Sequence, residues 1–449
     1  MKTALSFGAA CLLALPAYAQ VDQVVTPPPN LVLANYDNVP VGPFGGLEGS
    51  AYVARVGDPS AAWFNPAGLA RESTAQISGS AGVYQFTSIT PEQLPNRGGS
   101  FQQLPNFVGF TFVPRPRLTV GAALVTTNSW SQETDSELIA AVPGGQQRFS
   151  YSADSTYERR ILALSAGYQG NDSWRVGGGL AFSLMNVRLV QTVSDRIGDT
   201  SGLRSLLVNS RASGSAMQVR SQAGVQYDRS QWRFGAAIRT PGLTFHRTGA
   251  VTLDGLIDVG AMSLGASVFD PGAEFEYHLP WEFQGGAAWV RNRFELEFDL
   301  RAYSAIDAYS MLASGQPVVV YGETGANQPP SVVTQPFPGL TSASDGVVNV
   351  GAGGHLRLMQ NRDLRLHAGV GSNVSPVAEQ DMVFNKLDLL TWSLGVSGSF
   401  GRLQFAAGFN HQAGTAHDVT LRNLLNGQVV QSSMDVAMTG FIYSLAYQF

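Results

Sequence analysis

The chain has 449 residues, of which 14% are charged and 50 are glycine, against about 25% and 7% in ordinary globular domains. Hydrophobic residues make up 44%, yet the mean hydropathy is +0.01, so apolar side chains must be interleaved with small polar ones and not gathered in runs. A net charge of −5 without a basic tract excludes a nucleic-acid binder, which needs a cationic face.

Residues 1–19 carry the three parts of a secretory signal: Lys2, the apolar stretch Ala4 to Leu15, and Ala17-Tyr18-Ala19, with cleavage expected near Ala19. The single cysteine, Cys11, lies inside that segment with too little apolar chain before it for a lipoprotein signal, so no disulfide is expected in the mature chain. No later apolar run reaches the about 18 residues of a membrane helix. A membrane barrel, whose strands alternate, stays open. Residues 20–44, with Pro27-Pro28-Pro29, predict an extended or disordered arm. Residues 45–72 are rich in Gly, Ala and Ser and contain Asn65-Pro66-Ala67, a turn-forming triplet.

From 73 to 449 period-two alternation recurs between turn residues. It predicts strands near 73–88, 104–113, 117–130, 155–169, 173–194, 213–228, 231–250, 268–290, 293–309, 345–359, 363–374, 386–400, 402–416 and 433–449. In Arg293 to Arg301 every even position is apolar and every odd one charged, so one face is oily and the other ionic. Phe275, Tyr277, Leu279, Trp281 and Phe283 are assigned to one face, with Glu274, Glu276, His278, Glu282 and Gln284 on the other. The alternation changes phase near Met185-Asn186, which predicts a bulge. Short turns (114–116, 170–172, 228–230, 291–292, 360–362, 401) alternate with long links (89–103, 131–154, 195–212, 251–267, 310–344, 375–385, 417–432). Outer-membrane barrels sort their connections this way, with an even strand number and short periplasmic turns. A secreted sandwich or solenoid is the competing fold, but no fixed repeat marks a solenoid, and a sandwich has no reason to sort its loops. The terminal Phe449, after Tyr447 and earlier aromatics at every second position, resembles the sorting signal read by the bacterial outer-membrane assembly machinery.

Three stretches resemble the FadL/TodX family of outer-membrane transporters for long-chain fatty acids and other hydrophobic compounds. They are Gly49 to Ala54 with Ala61-Ala62-Trp63-Phe64-Asn65-Pro66-Ala67-Gly68; Leu279-Pro280-Trp281-Glu282 running through Arg291-Asn292 to Tyr303-Ser304; and Leu366-His367-Ala368-Gly369-Val370 with Ser375-Pro376-Val377. The resemblance implies an all-β transmembrane antiparallel barrel of about fourteen strands over 73–449. It makes 45–72, with the motif Asn65, Pro66, Ala67, the plug in the lumen. The plug departs from the family at Gly57-Asp58-Pro59-Ser60, where an acidic pair or Asp-Ala is usual, and the arm before it is longer and Pro-rich.

The resemblance also implies uptake of hydrophobic small molecules such as fatty acids or hydrocarbons, by a bacterial outer-membrane monomer in contact with membrane lipid, and an exit sideways at an inward kink in the third strand, where Gly121 permits a bend. The link 251–267, with Leu253, Leu256, Ile257, Met262 and Leu264, is read as a greasy landing groove or as a lid over the barrel mouth. Arg233, Arg239, Arg301, Arg357 and Arg365 are assigned to the lumen face; Arg239 and Arg301 are candidates for a ligand carboxylate, the alternative being ion pairs that hold plug to wall. His278, His355 and His367 share the inward parity without metal-ligand spacing, and no metal or cofactor is expected. Enzyme motifs are lacking, with neither Gly-x-Ser-x-Gly nor His-Glu-x-x-His present. A barrel lipase or protease built from separate strands, and a nonspecific porin, are the competing functions.

Overall fold

The computed structural model describes residues 32–36, 39–91, 98–142, 144–199, 202–258, 263–323, 331–359, 363–422 and 429–449. The expected signal 1–19 and the first part of the arm, 20–31, lie outside the described residues, as does Met262.

The strands in chain order are β1 Gln76–Pro91, β2 Gly98–Arg115, β3 Leu118–Val142, β4 Gly145–Gln169, β5 Trp174–Asp199, β6 Gly202–Arg229, β7 Trp232–Arg239, β8 Leu243–Asp258, β9 Ser263–Asp270, β10 Glu274–Phe275, β11 Glu282–Arg291, β12 Phe294–Tyr303, β13 Ile306–Ala313, β14 Val318–Glu323, β15 Ser331–Gln335, β16 Leu340–Ser344, β17 Val347–Arg357, β18 Leu364–Asn373, β19 Leu389–Phe400, β20 Leu403–Arg422 and β21 Val429–Gln448. Antiparallel pairing runs around the sheet and closes where β21 meets β1, with Gln448 opposite Gln76 and Tyr447 opposite Ile77. The result is a closed barrel of 14 staves. Closure leaves no unpaired strand edge along the seam. The seventh stave is β7 followed by β8, both paired to β6, with a break at 240–242. Beyond that break β8 stays paired with β6, and β9, β14 and β15 extend the sheet from its other edge as a flap.

At one end the staves join through tight turns, where Arg117, Ser230 and Gly401 take positive φ of 69°, 55° and 61°. At the other end the strands overrun the predicted boundaries. The links 131–154 and 195–212 are not loops: β3 pairs with β4 from Leu118↔Tyr168 to Val142↔Gly145, and β5 with β6 from Trp174↔Tyr227 to Asp199↔Gly202. The link 251–267 is likewise a hairpin, with Leu253 opposite Val268 and Ile257 opposite Leu264.

Three predicted details are corrected. Pairing through Met185 is unbroken on both sides, so β5 has no bulge there. What changes at that point is the polarity of the lumen: Met185 and Val187 face inward into an apolar cluster. The parity of 274–284 also breaks. β10 lies in a separate sheet with β13 and β16 and the chain joins the wall only at β11, so Phe275, Tyr277 and Leu279 are buried while Trp281 and Phe283 face outward. His278 lies exposed, stacked on Tyr309 at 4.1 Å. Finally, Gly121 is regularly paired on both sides; the irregularity of β3 falls between Thr126 and Asn128.

The outer wall carries an apolar belt that includes Phe110, Phe112, Leu162, Leu164, Trp174, Phe234, Phe283, Phe298, Trp392, Phe405, Phe441 and Tyr443, all exposed. A water-facing sheet would not show so many large apolar groups on one surface.

Candidate functional site

The lumen is divided into two zones. Toward the short-turn end the described residues of 39–72, the segment expected to be the plug, pack against inward side chains of the wall, with a 3₁₀ turn at Gly45–Leu47, a single helical turn at Ala61–Phe64 and a 3₁₀ turn at Pro66–Arg71. Residues 32–36 thread on toward the long-hairpin end. The described part of the arm is therefore packed inside the barrel, contrary to the expectation of an extended or disordered segment: Leu33, Asn35, Tyr36 and Val39 are all buried.

Asn65, Pro66 and Ala67 press close on the wall. Asn65 is extended (φ −156°, ψ 106°), its Oδ1 accepts the Ala67 amide at 3.2 Å, and Pro66 opens the turn, as a capping residue and an N1 proline do. Its Nδ2 donates to Val53 O at 3.1 Å inside the plug and to Val225 O at 3.0 Å on β6. The motif fits only because the facing wall is glycine. A Cβ on Gly224 would lie 2.0 Å from Asn65 Oδ1, and one on Gly177 2.3 Å from the Pro66 carbonyl carbon. Across the lumen Glu48 and Gly49 press equally close on Gly353 and Gly369.

Charged side chains hold the remainder. The inward row of β12, which the alternation 293–301 had exposed, grips the plug backbone. Arg301 Nη2 donates to Ser50 O at 2.6 Å, Asp299 Oδ2 accepts from Tyr52 N (2.7 Å) and Val53 N (3.0 Å), and Glu297 accepts from Ala54 N (2.6 Å) and Arg55 Nε (2.7 Å). Arg239 lies 3.7 Å over the Trp63 ring, bonds Glu282 and the Trp63 carbonyl, and reaches Gln222 at 3.2 Å. The two arginines considered for a ligand headgroup are thus both engaged with the plug. Arg71 pairs with Asp228 at 2.6 Å.

Glu48 is wholly buried. Burial alone would raise its carboxyl, but Arg55 and the bonds with His355 (3.1 Å) and His367 (2.6 Å) outweigh it and hold the group well below the usual range. The two histidines that the sequence scatters sit opposite each other on β17 and β18. Asp58 is raised by burial, and burial with Asp58 nearby raises Glu72 to about 8.

Toward the long-hairpin end the lumen turns apolar. Trp130, Tyr157, Met185, Val187, Phe275, Tyr277, Leu279, Met311 and Met434 form one cluster, and Val32 and Leu33 are part of it. Its polar groups pair among themselves, Tyr157 Oη with Tyr277 Oη at 2.8 Å. At the plug's boundary Asn128 bonds the Asn35 carbonyl, Arg159 donates to Tyr36 O at 2.8 Å, and Val39 N donates to Thr127 O at 3.2 Å, so the irregularity of β3 is tied to the plug's leading segment.

Of the predicted apolar link, Leu253 is buried in a second cluster with Phe149, Tyr151 and Val268 between the overrunning hairpins, and Ile257 packs on that cluster. Leu256 is exposed, and Leu264 is half-buried on β9. At the other end Tyr447 and Phe449 face outward with rings 5.2 Å apart. Sequence reasoning missed Glu48, Arg55 and Trp63 as wall contacts, and missed the glycine seats. The glycine excess was their one visible signal.

No family profile and no curated protein sequence matches the chain. Solved structures do match its shape. A Pseudomonas aeruginosa FadL homologue aligns at 14% identity over 93% of this chain and 100% of its own, with TM-score 0.64. The Pseudomonas putida toluene transporter TodX aligns at 14% identity over 92% and 100%, with TM-score 0.60. The Ralstonia pickettii toluene transporter TbuX aligns at 14% identity over 92% and 99%, with TM-score 0.54. The chain has the fold of these barrels.

Proposed function

We propose that the chain is an outer-membrane uptake protein for hydrophobic compounds, long-chain fatty acids or hydrocarbons among them, working as a monomer in contact with membrane lipid. The observation that carries this reading is the division of the lumen: an apolar cluster toward the long hairpins lies beside a plug held by ion pairs and glycine seats. A lipophile that takes the place of part of this packing gains about 25 cal/mol per Å² on leaving water, while the plug denies polar solutes a path. The apolar belt meets the hydrocarbon of the bilayer, the short turns face the periplasm, and the flap carrying Leu253, Leu256, Ile257 and Leu264 stands at the entry side. Arg239 and Arg301 act on the plug, and a ligand headgroup reaches them only where the plug gives way. A sideways exit would open at Thr126 to Asn128 of β3, where releasing the leading segment breaks the pairing least.

The toluene-transporter neighbours support a transporter over an enzyme, and a filled lumen disfavours a nonspecific porin. Native mass spectrometry of the detergent-purified protein should show a co-purifying lipophile. Liposomes containing it should not swell in small sugars. Sugar passage at porin rates, with no gain in uptake of a labelled fatty acid or of toluene by cells producing the protein, would overturn the reading.

A further inference from the structure

We propose that Glu48, His355 and His367 form a site for one divalent transition metal of the zinc class, which staples the plug to the wall near the short-turn end. Glu48 lies 307 and 319 residues from its two partners along the chain. Antiparallel pairing of β17 with β18 sets His355 directly opposite His367, and the glycine seats at Gly353 and Gly369 let the plug backbone come close enough for the Glu48 carboxylate to reach both rings. Nδ1 of His367 stands 2.6 Å and Nδ1 of His355 3.1 Å from the same oxygen, Glu48 Oε1, and the three ligand atoms lie within 4.8 Å of one another. Around a tetrahedral zinc with bonds of about 2.0–2.1 Å, ligand atoms are spaced by about 3.3 Å, so side-chain shifts of about 1 Å admit the ion.

The surroundings are those of a ligand set. His367 Nε2 is 2.7 Å from Ser397 Oγ; when a metal replaces the proton that Nδ1 shares with Glu48, Nε2–H donates to that hydroxyl, the tautomer a metal needs. Arg55 Nη1, a pure donor, stands 3.5 Å from His355 Nδ1 and favours a lone pair on that atom too. Arg55 also binds the other Glu48 oxygen, Oε2, leaving Oε1 for the ion. Without an ion each ring is hydrogen-bonded to Glu48 Oε1; a metal of this class displaces those protons and takes the three converging atoms as its ligands. Charge agrees: Glu48, Glu295 and Glu297 gather around Arg55, and Arg233 pairs with Glu295, so carboxylates outnumber guanidinium groups. A cavity of about 210 Å³ is lined by all three residues, with His355 the one whose side chain is partly exposed. Two imidazoles with one carboxylate favour zinc, cobalt, nickel or copper over magnesium or calcium.

This site stands apart from the transport reading, and its test needs no substrate. Full-length protein purified in detergent with chelator is titrated with Co²⁺ and then Zn²⁺. The expected result is about one ion per chain with the intense visible absorption of tetrahedral cobalt, bleached by zinc. His355→Ala and His367→Ala should abolish the band, Ser397→Ala should weaken binding about 10–100-fold, and His411→Ala on β20 should leave it unchanged. Barrel assembly of each variant is read from heat-modifiable mobility. If the variants do not assemble, the wild-type titration decides alone. Absence of the band in wild-type protein, or a band that persists in an assembled His367→Ala variant, would overturn the site and leave Glu48 merely hydrogen-bonded.

Discussion

A methyl group on Gly224 would meet the Asn65 amide, and one on Gly177 would meet the Pro66 carbonyl. The plug's position therefore depends on side chains that are missing from the wall. Gly177→Val should leave the barrel assembled but unseat the plug, raising single-channel conductance in planar bilayers; wild-type conductance in an assembled variant would show that the contact yields. Asn65→Ala removes a cap and two buried bonds to carbonyl groups, a loss of about 1–3 kcal/mol in plug docking, to be read as faster proteolysis within 45–72. Glu72 adds a pH term. Its carboxyl rises from 4.5 to about 8 in the docked plug, so the docked form holds a proton that the released form loses. Docking is thus favoured below 4.5 and weakens as pH rises through about 8. Open-channel events should grow more frequent between about pH 5 and pH 9, and Glu72→Gln should flatten that rise. Asn65-Pro66-Ala67 was legible because turn chemistry is local. Its receptor was not, because a glycine leaves no pattern on the face it empties.

At the scale of the element, alternation gave the strands wherever one face met lipid-like surroundings and the other the polar half of the lumen. Arg293 to Arg301 is the clearest case, and its ionic face is the row that holds Tyr52 to Arg55. The reading failed where the lumen itself turns apolar. Met185 and Val187 look like a phase change because an inward side chain there is as oily as an outward one. The links failed for a related reason: the hairpins run on beyond the wall, and the face that they bury there meets the other hairpins and not the polar half of the lumen. The Pro-rich arm looked unstructured because its partners, such as Asn373, Leu387 and Asn385, lie more than 300 residues away. Orientation can be tested on these elements. Ser331 opens β15 in the flap and Asn171 lies in a short turn, and both are exposed. Cysteines placed there should differ in intact cells, Ser331→Cys reacting with an impermeant maleimide and Asn171→Cys not. Equal labelling would refute the assignment of the long hairpins to the outside. Cys11 is the sequence's one native cysteine, inside the expected signal.

For the whole molecule, closure and plugging are separable. The seam depends on β21, whose last amides continue the ladder, Gln448 N to Arg402 O at 3.0 Å and Phe449 N to Ala75 O at 2.9 Å. Phe449→Ser keeps those backbone bonds, so reduced assembly in that variant would mark the ring as a recognition element, and normal assembly would reduce it to a lipid-facing side chain. The plug, by contrast, cannot hold its shape alone. Each residue ordered costs about 1–2 kcal/mol of backbone entropy, and its few large groups, Tyr52, Trp63, Phe64 and Leu69, bury their surface largely against wall residues Phe107, Val125 and Ile161. The barrel supplies both that apolar contact and the carboxylate row, while its own ladder runs without the plug. Replacing residues 45–66 by a Gly/Ser linker of equal length should therefore leave a heat-modifiable barrel. The leading segment stays anchored by Asn106 Nδ2 to Pro40 O at 2.6 Å and by Val39 N to Thr127 O, so opening should occur on the opposite side of the lumen, along β12, β17 and β18. Such a barrel should conduct small ions strongly, admit small sugars to liposomes, sensitise cells to bulky antibiotics and lose selective uptake of lipophiles. A variant that assembles yet keeps wild-type conductance would mean that the remaining segments seal the barrel by themselves, and the division of labour between plug and apolar cluster would have to be redrawn.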